Sequence, residues 1–251
     1  MLSQVQQKLH NEDIIYLADT ARVPYGSKTP DEIIKINQEI IPFLIDQGAK
    51  LIIIACGTSS AIAYPVLKDE YPVELINLID PGSHAALAVS QTGKIGVIAT
   101  VATVNSLAYQ KTIKELNSDA EVYAAGCPLF VPLIEGGFIE SDETKKVAKE
   151  YLKPLLKQGI DTLILGCTHY PHLSKIIKEI CGPKVTLVDP AEEAAEVVRQ
   201  MLRKAGTLKA GGKPAKYTYF TTASAAQFET IGSRLLGKPI NHAKEVKLCS
   251  N

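Results

Sequence analysis

Two cysteines stand at matching places in the chain. Leu51–Ser60 reads LIIIACGTSS and Thr162–His169 reads TLILGCTH. Each is an apolar run that stops at a small residue, a cysteine and a hydroxyl, which puts Cys56 and Cys167 where a buried strand gives way to a helix. A helix N-terminus offers unpaired N–H groups and the positive end of a dipole, and both favour a thiolate. The pattern therefore predicts two thiols that ionise more readily than an ordinary cysteine. His169, two residues beyond Cys167, is placed for proton traffic. Free cysteines are also among the most buried residues, and either one alone reads equally well as core. The second copy changes that reading, because IIACGT against ILGCTH is a weak internal similarity of the kind left by two halves built alike. Opposed thiols suit one task, which is to take a proton from one face of a carbon and return one to the other. That is racemisation.

Other residues have chemistry to offer around this pair. Arg22-Val23-Pro24-Tyr25-Gly26 is a shaped loop, with one backbone angle fixed by Pro24 and another freed by Gly26; it presents N–H groups and the Tyr25 hydroxyl to a ligand, or is an ordinary turn. Thr100, Thr103, Asn105 and Ser106 crowd one predicted helix start, where neutral donors suit a carboxylate, although hydroxyls also cap helices with no ligand present. Glu135 lies in a Pro- and Gly-punctuated apolar segment and reads as an exposed acid or as the partner of an amine or imidazole. A cysteine hydrolase built on Cys167 and His169 would lack a separate orienting acid. A metal site of Cys167, His169 and His172 would lack a second ligand cluster.

The elements that must hold these residues alternate. An amphipathic opening segment is followed by a strand at Ile14–Leu17, which delivers Asp19 into the loop, and Thr29-Pro30-Asp31-Glu32 starts a helix that runs to Gly48. Strands are predicted at Val73–Leu78, Lys94–Thr100, Val122–Ala125, Lys184–Val188, Tyr217–Thr221 and Glu245–Leu248. Helices are predicted at Thr144–Lys157, Ala191–Ala205 and Ala225–Leu236, with a glycine-punctuated loop at Ala205–Pro214. Such alternation predicts parallel α/β sheets with the ligand at the carboxyl ends of strands, where Cys56, Thr100 and Cys167 all fall.

Composition sets the bounds. At 251 residues and 46% hydrophobic the chain can bury a large core. Lys+Arg and Asp+Glu balance at 27 each with no dense basic run, so nothing favours nucleic acid or an anionic membrane. No apolar stretch approaches the length that spans a bilayer, and the first residues lack a signal peptide's apolar core, which predicts a cytoplasmic protein with a small-molecule partner. The five cysteines, Cys56, Cys127, Cys167, Cys181 and Cys249, are odd in number and widely spaced, which predicts reduced thiols.

ADTARVPYG, IIACGTSSA, GVIATVATVNS, PLIEGGF and LGCTHYPHL occur in this order over most of the chain. Together they resemble the motif set of the cofactor-independent glutamate racemases, in the aspartate/glutamate racemase family. The resemblance implies two similar, pseudo-symmetric α/β domains with mostly parallel sheets and an active site in the cleft between them: residues 1–79 with 189–251, and residues 80–188. It implies a homodimer that interconverts L- and D-glutamate without pyridoxal phosphate or metal and supplies D-glutamate for peptidoglycan. It implies Cys56 and Cys167 as the two bases and His169 as the support of the second. It places Pro24, Tyr25, Gly26, Gly57, Thr58, Thr100, Thr103, Glu135 and Thr168 around the substrate. The preference for glutamate over aspartate rests on the resemblance alone.

The sequence departs from the family pattern twice. Gly57 stands where the family usually has Asn, which predicts the loss of an amide that would hold substrate. The family's first strand and its loop with an Asp-Ser pair, whose Asp assists the first cysteine, have no match before Met1. Cys56 is therefore expected to be the slower base, for want of a proton-sharing partner, and the 251-residue chain to be weak or inactive. The alternative reading is a racemase-like protein that binds an acidic amino acid or a partner without turnover.

Overall fold

The structure, a computed structural model, describes residues 1–212 and 214–248; the predicted thiol of Cys249 lies outside the described residues. After helix α1 (Leu2–Lys8), strand β1 (Ile14–Ala18) leads into the Arg22–Ser27 loop, in which the Val23–Pro24 peptide is cis. Helix α2 (Pro30–Asp46) begins where the sequence predicts, because the Thr29 side chain accepts from the Glu32 N–H and Glu32 accepts from the Thr29 N–H, a reciprocal capping box with Pro30 inside it. Strand β2 (Leu51–Ile53) then hands the chain through Cys56 to α3 (Gly57–Ile62) and α4 (Tyr64–Leu67). Strand β3 (Glu74–Ile76) pairs in parallel with β2, shorter at both ends than predicted.

Helix α5 (Ile79–Val89) carries the chain to a four-stranded, all-parallel sheet. Its strands are β4 (Lys94–Ala99), β5 (Glu121–Gly126), β6 (Thr162–Leu165) and β7 (Thr186–Val188), in the order β5-β4-β6-β7. The connections are α6 (Val101–Ser106) and α7 (Ala108–Leu116), then α8 (Phe130–Glu135) and α9 (Asp142–Lys157), then α10 (Ser174–Cys181). Both faces of this sheet are covered. Ile98, Leu163 and Leu165 pack with Phe130, Leu152, Tyr170 and Ile177 on one side. Ile95, Val97, Ala99 and Ile164 pack with Ile79, Ala86, Tyr109 and Ile113 on the other. A parallel strand buried on both faces has no polar face to show, which is why LILG and GVIA read as unbroken apolar runs.

Helix α11 (Pro190–Lys204) starts at an Asp189 side-chain cap and packs with α1 over Ile14, Leu51, Ile53 and Ile76. The opposite side of β2 and β3 is covered by Ile33, Ile41 and Leu67. Strand β8 (Tyr217–Thr221) pairs in parallel with β1, and α12 (Ala225–Leu236) and β9 (Lys244–Glu245) complete the chain. The last strand is two residues long and ends before the predicted Leu248. All strand pairs among the described residues are parallel, and no described helix is long and apolar enough to cross a membrane.

Candidate active site

Cys56 is the N-cap residue of α3, in extended backbone between β2 and the helix. Burial pushes its thiol up, against the pull of the Ser59 N–H, the Thr58 N–H and the Ser59 hydroxyl and with the added push of the facing Cys167. The expectation of two readily ionised thiols is corrected for this one: desolvation exceeds what a single turn of helix returns. Ser59 bears on Cys56 through its side chain as well as its N–H. Its hydroxyl accepts from Asn37 Nδ2 at 3.0 Å, and Asn37 is itself fixed by donating to the Ile33 carbonyl at 2.7 Å.

Cys167 follows β6, but the α-helix beyond it starts late. Tyr170–Leu173 forms a 3₁₀ turn with Pro171 near its start, and α10 begins only at Ser174, so Cys167 does not sit at the end of an α-helix dipole. Its polar partner is a side chain. His169 Nδ1 stands 3.9 Å from Cys167 Sγ, and His169 Nε2 donates to Glu135 Oε1 at 3.1 Å. Burial disfavours the imidazolium, yet the hydrogen bonds to Cys167 and Glu135 outweigh it and push the His169 pKa up to about 10. The bond to His169 draws the Glu135 carboxyl below its ordinary range. Glu135 is thus an imidazole partner, one of the two roles its sequence context allowed.

The threonines gather between the two cysteines. Thr100 caps α6 by accepting from the Thr103 N–H. Its hydroxyl lies 2.9 Å from that of Thr58 and 3.0 Å from that of Thr103. Thr168, beside Cys167, donates to the Ala55 carbonyl, beside Cys56, at 3.2 Å. The Tyr25 loop closes over this group. A Cβ on Gly26 would lie 2.9 Å from Thr100 Cβ, and the Tyr25 hydroxyl donates to Asp19, which also accepts from Arg22 Nε at 2.7 Å and from the Thr222 hydroxyl at 2.7 Å. Burial, Asp19 and the nearby Cys56 all push the Tyr25 phenol up, so it serves as a neutral donor.

The structure therefore brings Cys56, Gly57, Thr58, Tyr25, Gly26, Thr100, Thr103, Thr168, Cys167, His169 and Glu135 to one seam between separate sheets. Pro24 follows the cis Val23–Pro24 bond in that loop, and its carbonyl accepts from the Ser27 hydroxyl at 3.4 Å. Gly57 has no room for the amide that its position was expected to lack: a Cβ there would stand 2.3 Å from the Gly166 carbonyl oxygen. Ser59, Asn37 and Asp19 were not singled out. Ser59 and Asp19 lie inside the quoted motifs; Asn37 stands 22 residues from Ser59, and Asp19 joins its local partners Arg22 and Tyr25 to Thr222, 203 residues away. Among the described residues no group of three or more His, Cys, Asp or Glu is arranged to hold a metal ion.

A family model described as Asp/Glu/Hydantoin racemase matches residues 1–198. Glutamate racemase from Geobacter metallireducens is 40% identical over 248 residues, 99% of this chain and 92% of that protein. Glutamate racemase from Picosynechococcus is 48% identical over 206 residues, 82% of this chain and 73% of that protein. A glutamate racemase isoform from Bacillus anthracis superposes with a TM-score of 0.94 at 36% identity, over 98% of this chain and 92% of that one. Glutamate racemase from Francisella tularensis, solved with D-glutamate, gives 0.92 at 37% identity, over 100% and 93%. The chain belongs to the Asp/Glu/hydantoin racemase family and is an enzyme of the isomerase class.

Proposed function

We propose that this chain interconverts L- and D-glutamate by proton transfer between two cysteines, with Cys56 and Cys167 on opposite faces of the α-carbon. The observation that supports the reading is the seam itself: two strand-end cysteines from separate sheets come together where Thr168 donates to the Ala55 carbonyl, each with polar groups beside it. In one direction the Cys167 sulfur takes the α-proton, with His169 compensating the charge, and the Cys56 thiol delivers a proton to the opposite face. Burial, which keeps Cys56 protonated, suits it to start as the donor. The reverse direction exchanges the roles, so each turnover leaves the pair in the opposite state and no proton is gained or lost.

The substrate's carboxylates would take up the hydroxyls of Thr58, Thr100, Thr103 and Thr168 and the N–H groups at α3 and α6, neutral donors that hold an anion at helix ends. A dianionic amino acid fits this set, and the bound D-glutamate of the Francisella tularensis relative supports glutamate. In this reading residues 1–79 with 189–251 form one lobe and residues 80–188 the other, and the D-glutamate formed goes to peptidoglycan.

The test is L-glutamate in deuterated water with the wild-type chain, Cys56→Ser and Cys167→Ser. Wild type should label the α-carbon and form the D-isomer, and each variant should fall by about 10²–10⁴-fold, the range that general acid–base groups contribute. Wild-type rates in either variant would overturn the two-base reading, and preferred turnover of alanine would overturn the substrate.

A further inference from the structure

The end of β8 is spent on the turn that follows β1. Thr221, fully buried, brings its hydroxyl to 2.6 Å from that of Thr20. Thr222 makes two side-chain bonds at once: its hydroxyl accepts from the Ala21 N–H at 3.0 Å and donates to Asp19 Oδ1 at 2.7 Å. The other carboxylate oxygen, Asp19 Oδ2, accepts from Arg22 Nε at 2.7 Å and from the Tyr25 hydroxyl. Asp19 is therefore a bracket, with the tail on one oxygen and the loop on the other. The strand ladder cannot replace it, because the last paired residues of β1 and β8 are Ala18 and Thr221, and Arg22–Gly26 lies beyond them. Nor can apolar burial do so along the first part of the loop, where Ala21, Val23 and Pro24 are exposed. Yet the far end of the loop is held to a tight fit, since a Cβ on Gly26 would stand 2.9 Å from Thr100 Cβ.

We propose that Thr222 is a positioning residue for substrate binding: acting through Asp19, it fixes where the Tyr25 hydroxyl and the Gly26 backbone stand against Thr100. The hydroxyl, not the shape of the side chain, carries the role. A valine there would fill the same space but leave one oxygen of a buried carboxylate without a donor, a cost that the turn relieves by moving Asp19 toward water and Tyr25 with it. The proposal rests on the glutamate racemase reading for its effect on substrate, but not for its effect on the loop.

Thr222→Val and Thr222→Ser test it. A loop that holds substrate equally in the ground state and the transition state contributes to KM and not to kcat. Thr222→Val should therefore raise KM for glutamate by about 10- to 100-fold, the effect of one lost hydrogen bond to a charged group, with kcat nearly unchanged. Thr222→Ser, which keeps the hydroxyl, should restore wild-type KM. The second readout needs no turnover. Trypsin cleavage after Arg22, followed by mass spectrometry at early times, reports how often the loop leaves its bracket, and it should be faster by about 10-fold or more in Thr222→Val and near wild type in Thr222→Ser. Cleavage after Lys94, in a strand paired on both sides, reports global unfolding and should stay slow in all three proteins.

Wild-type KM in Thr222→Val, a loss of kcat at unchanged KM, or a defect that Thr222→Ser does not repair would overturn the proposal. If Thr222→Val is cut after Lys94 as fast as after Arg22, it has unfolded, and Thr20→Val, which removes the contact with Thr221 from the other side of the same turn, decides by the same two readouts. If wild type does not racemise glutamate, the functional reading fails and trypsin alone decides: faster cutting after Arg22 in Thr222→Val upholds the bracket, and equal cutting overturns it.

Discussion

His169 and Ser59 divide the support of the two thiols, and each makes a prediction that the other does not. The His169 pKa is raised from 6.5 to about 10 in the folded chain, so its contribution to stability is complete below about 6.5 and is lost as pH climbs toward 10. Wild type should therefore lose stability over that window, and His169→Gln should lose less of it. Urea midpoints measured at pH 6, 8 and 10, values chosen to bracket the titration, check this. Parallel curves for the two proteins would mean that the imidazole is neutral in the fold. Ser59 acts on the other sulfur. Removing one hydrogen bond to a charged atom costs about 1.5–3 kcal/mol, so Ser59→Ala should raise the alkylation pKa of Cys56 and slow turnover by about 10- to 100-fold while leaving Cys167 unaffected. An unchanged Cys56 profile would return that thiol to the unsupported state that the sequence suggests.

At the scale of elements, what could be read from the sequence was what neighbours in the chain decide. The start of α2 is written in Thr29-Pro30-Asp31-Glu32, and β4 and β6 announce themselves because both of their faces are buried. The helix after Cys167 was misplaced because Leu173, Ile176, Ile177 and Ile180 have helical spacing, whereas Pro171 holds the preceding residues in a tighter turn. The ionisation of Cys56 could not be read at all, since its burial is built by residues far away in the chain. Tyr109 on α7 shows the same limit. Its ring is buried against the end of β6, where a Cβ on Gly166 would come within 3.0 Å of it, and its hydroxyl has no partner. A buried hydroxyl without a partner carries a desolvation cost, so Tyr109→Phe should stabilise the protein by about 1 kcal/mol, read as a higher urea midpoint at unchanged slope. Gly166→Ala should go the other way by about 1–3 kcal/mol, through overpacking against Ile98, Ala99 and that ring.

At the scale of the molecule, the tail reaches across to the hydrogen-bonded trio of Cys167, His169 and Glu135. Arg234, near the end of α12, donates to the main-chain carbonyl of Glu135 and lies over Gly137, and Leu235 packs against the core that contains Cys167. The carboxylate that orients His169 is thus steadied by a helix 99 residues further along the chain. Arg234→Ala should lower kcat by about 3- to 10-fold with the circular dichroism spectrum unchanged, and Arg234→Lys, which keeps a donor but not the fork, should recover part of the loss. Full activity in Arg234→Ala would mean that α8 holds Glu135 unaided.

Strand β1 has its partner, β8, about 200 residues downstream, with Ile14 beside Tyr217 and Ala18 beside Thr221. The four-stranded sheet, in contrast, is complete within one continuous stretch of chain from Lys94 to Val188. A nascent chain therefore finishes the β2-β3 pair and the four-stranded sheet before the sheet that its first strand begins. At about 5–20 residues per second, Ile15 and Leu17 wait roughly 10–40 s after leaving the ribosome for the strand that will cover their edge. During that interval the segment that leads into the Tyr25 loop is a bare strand with unpaired backbone, a template for aggregation or a chaperone client.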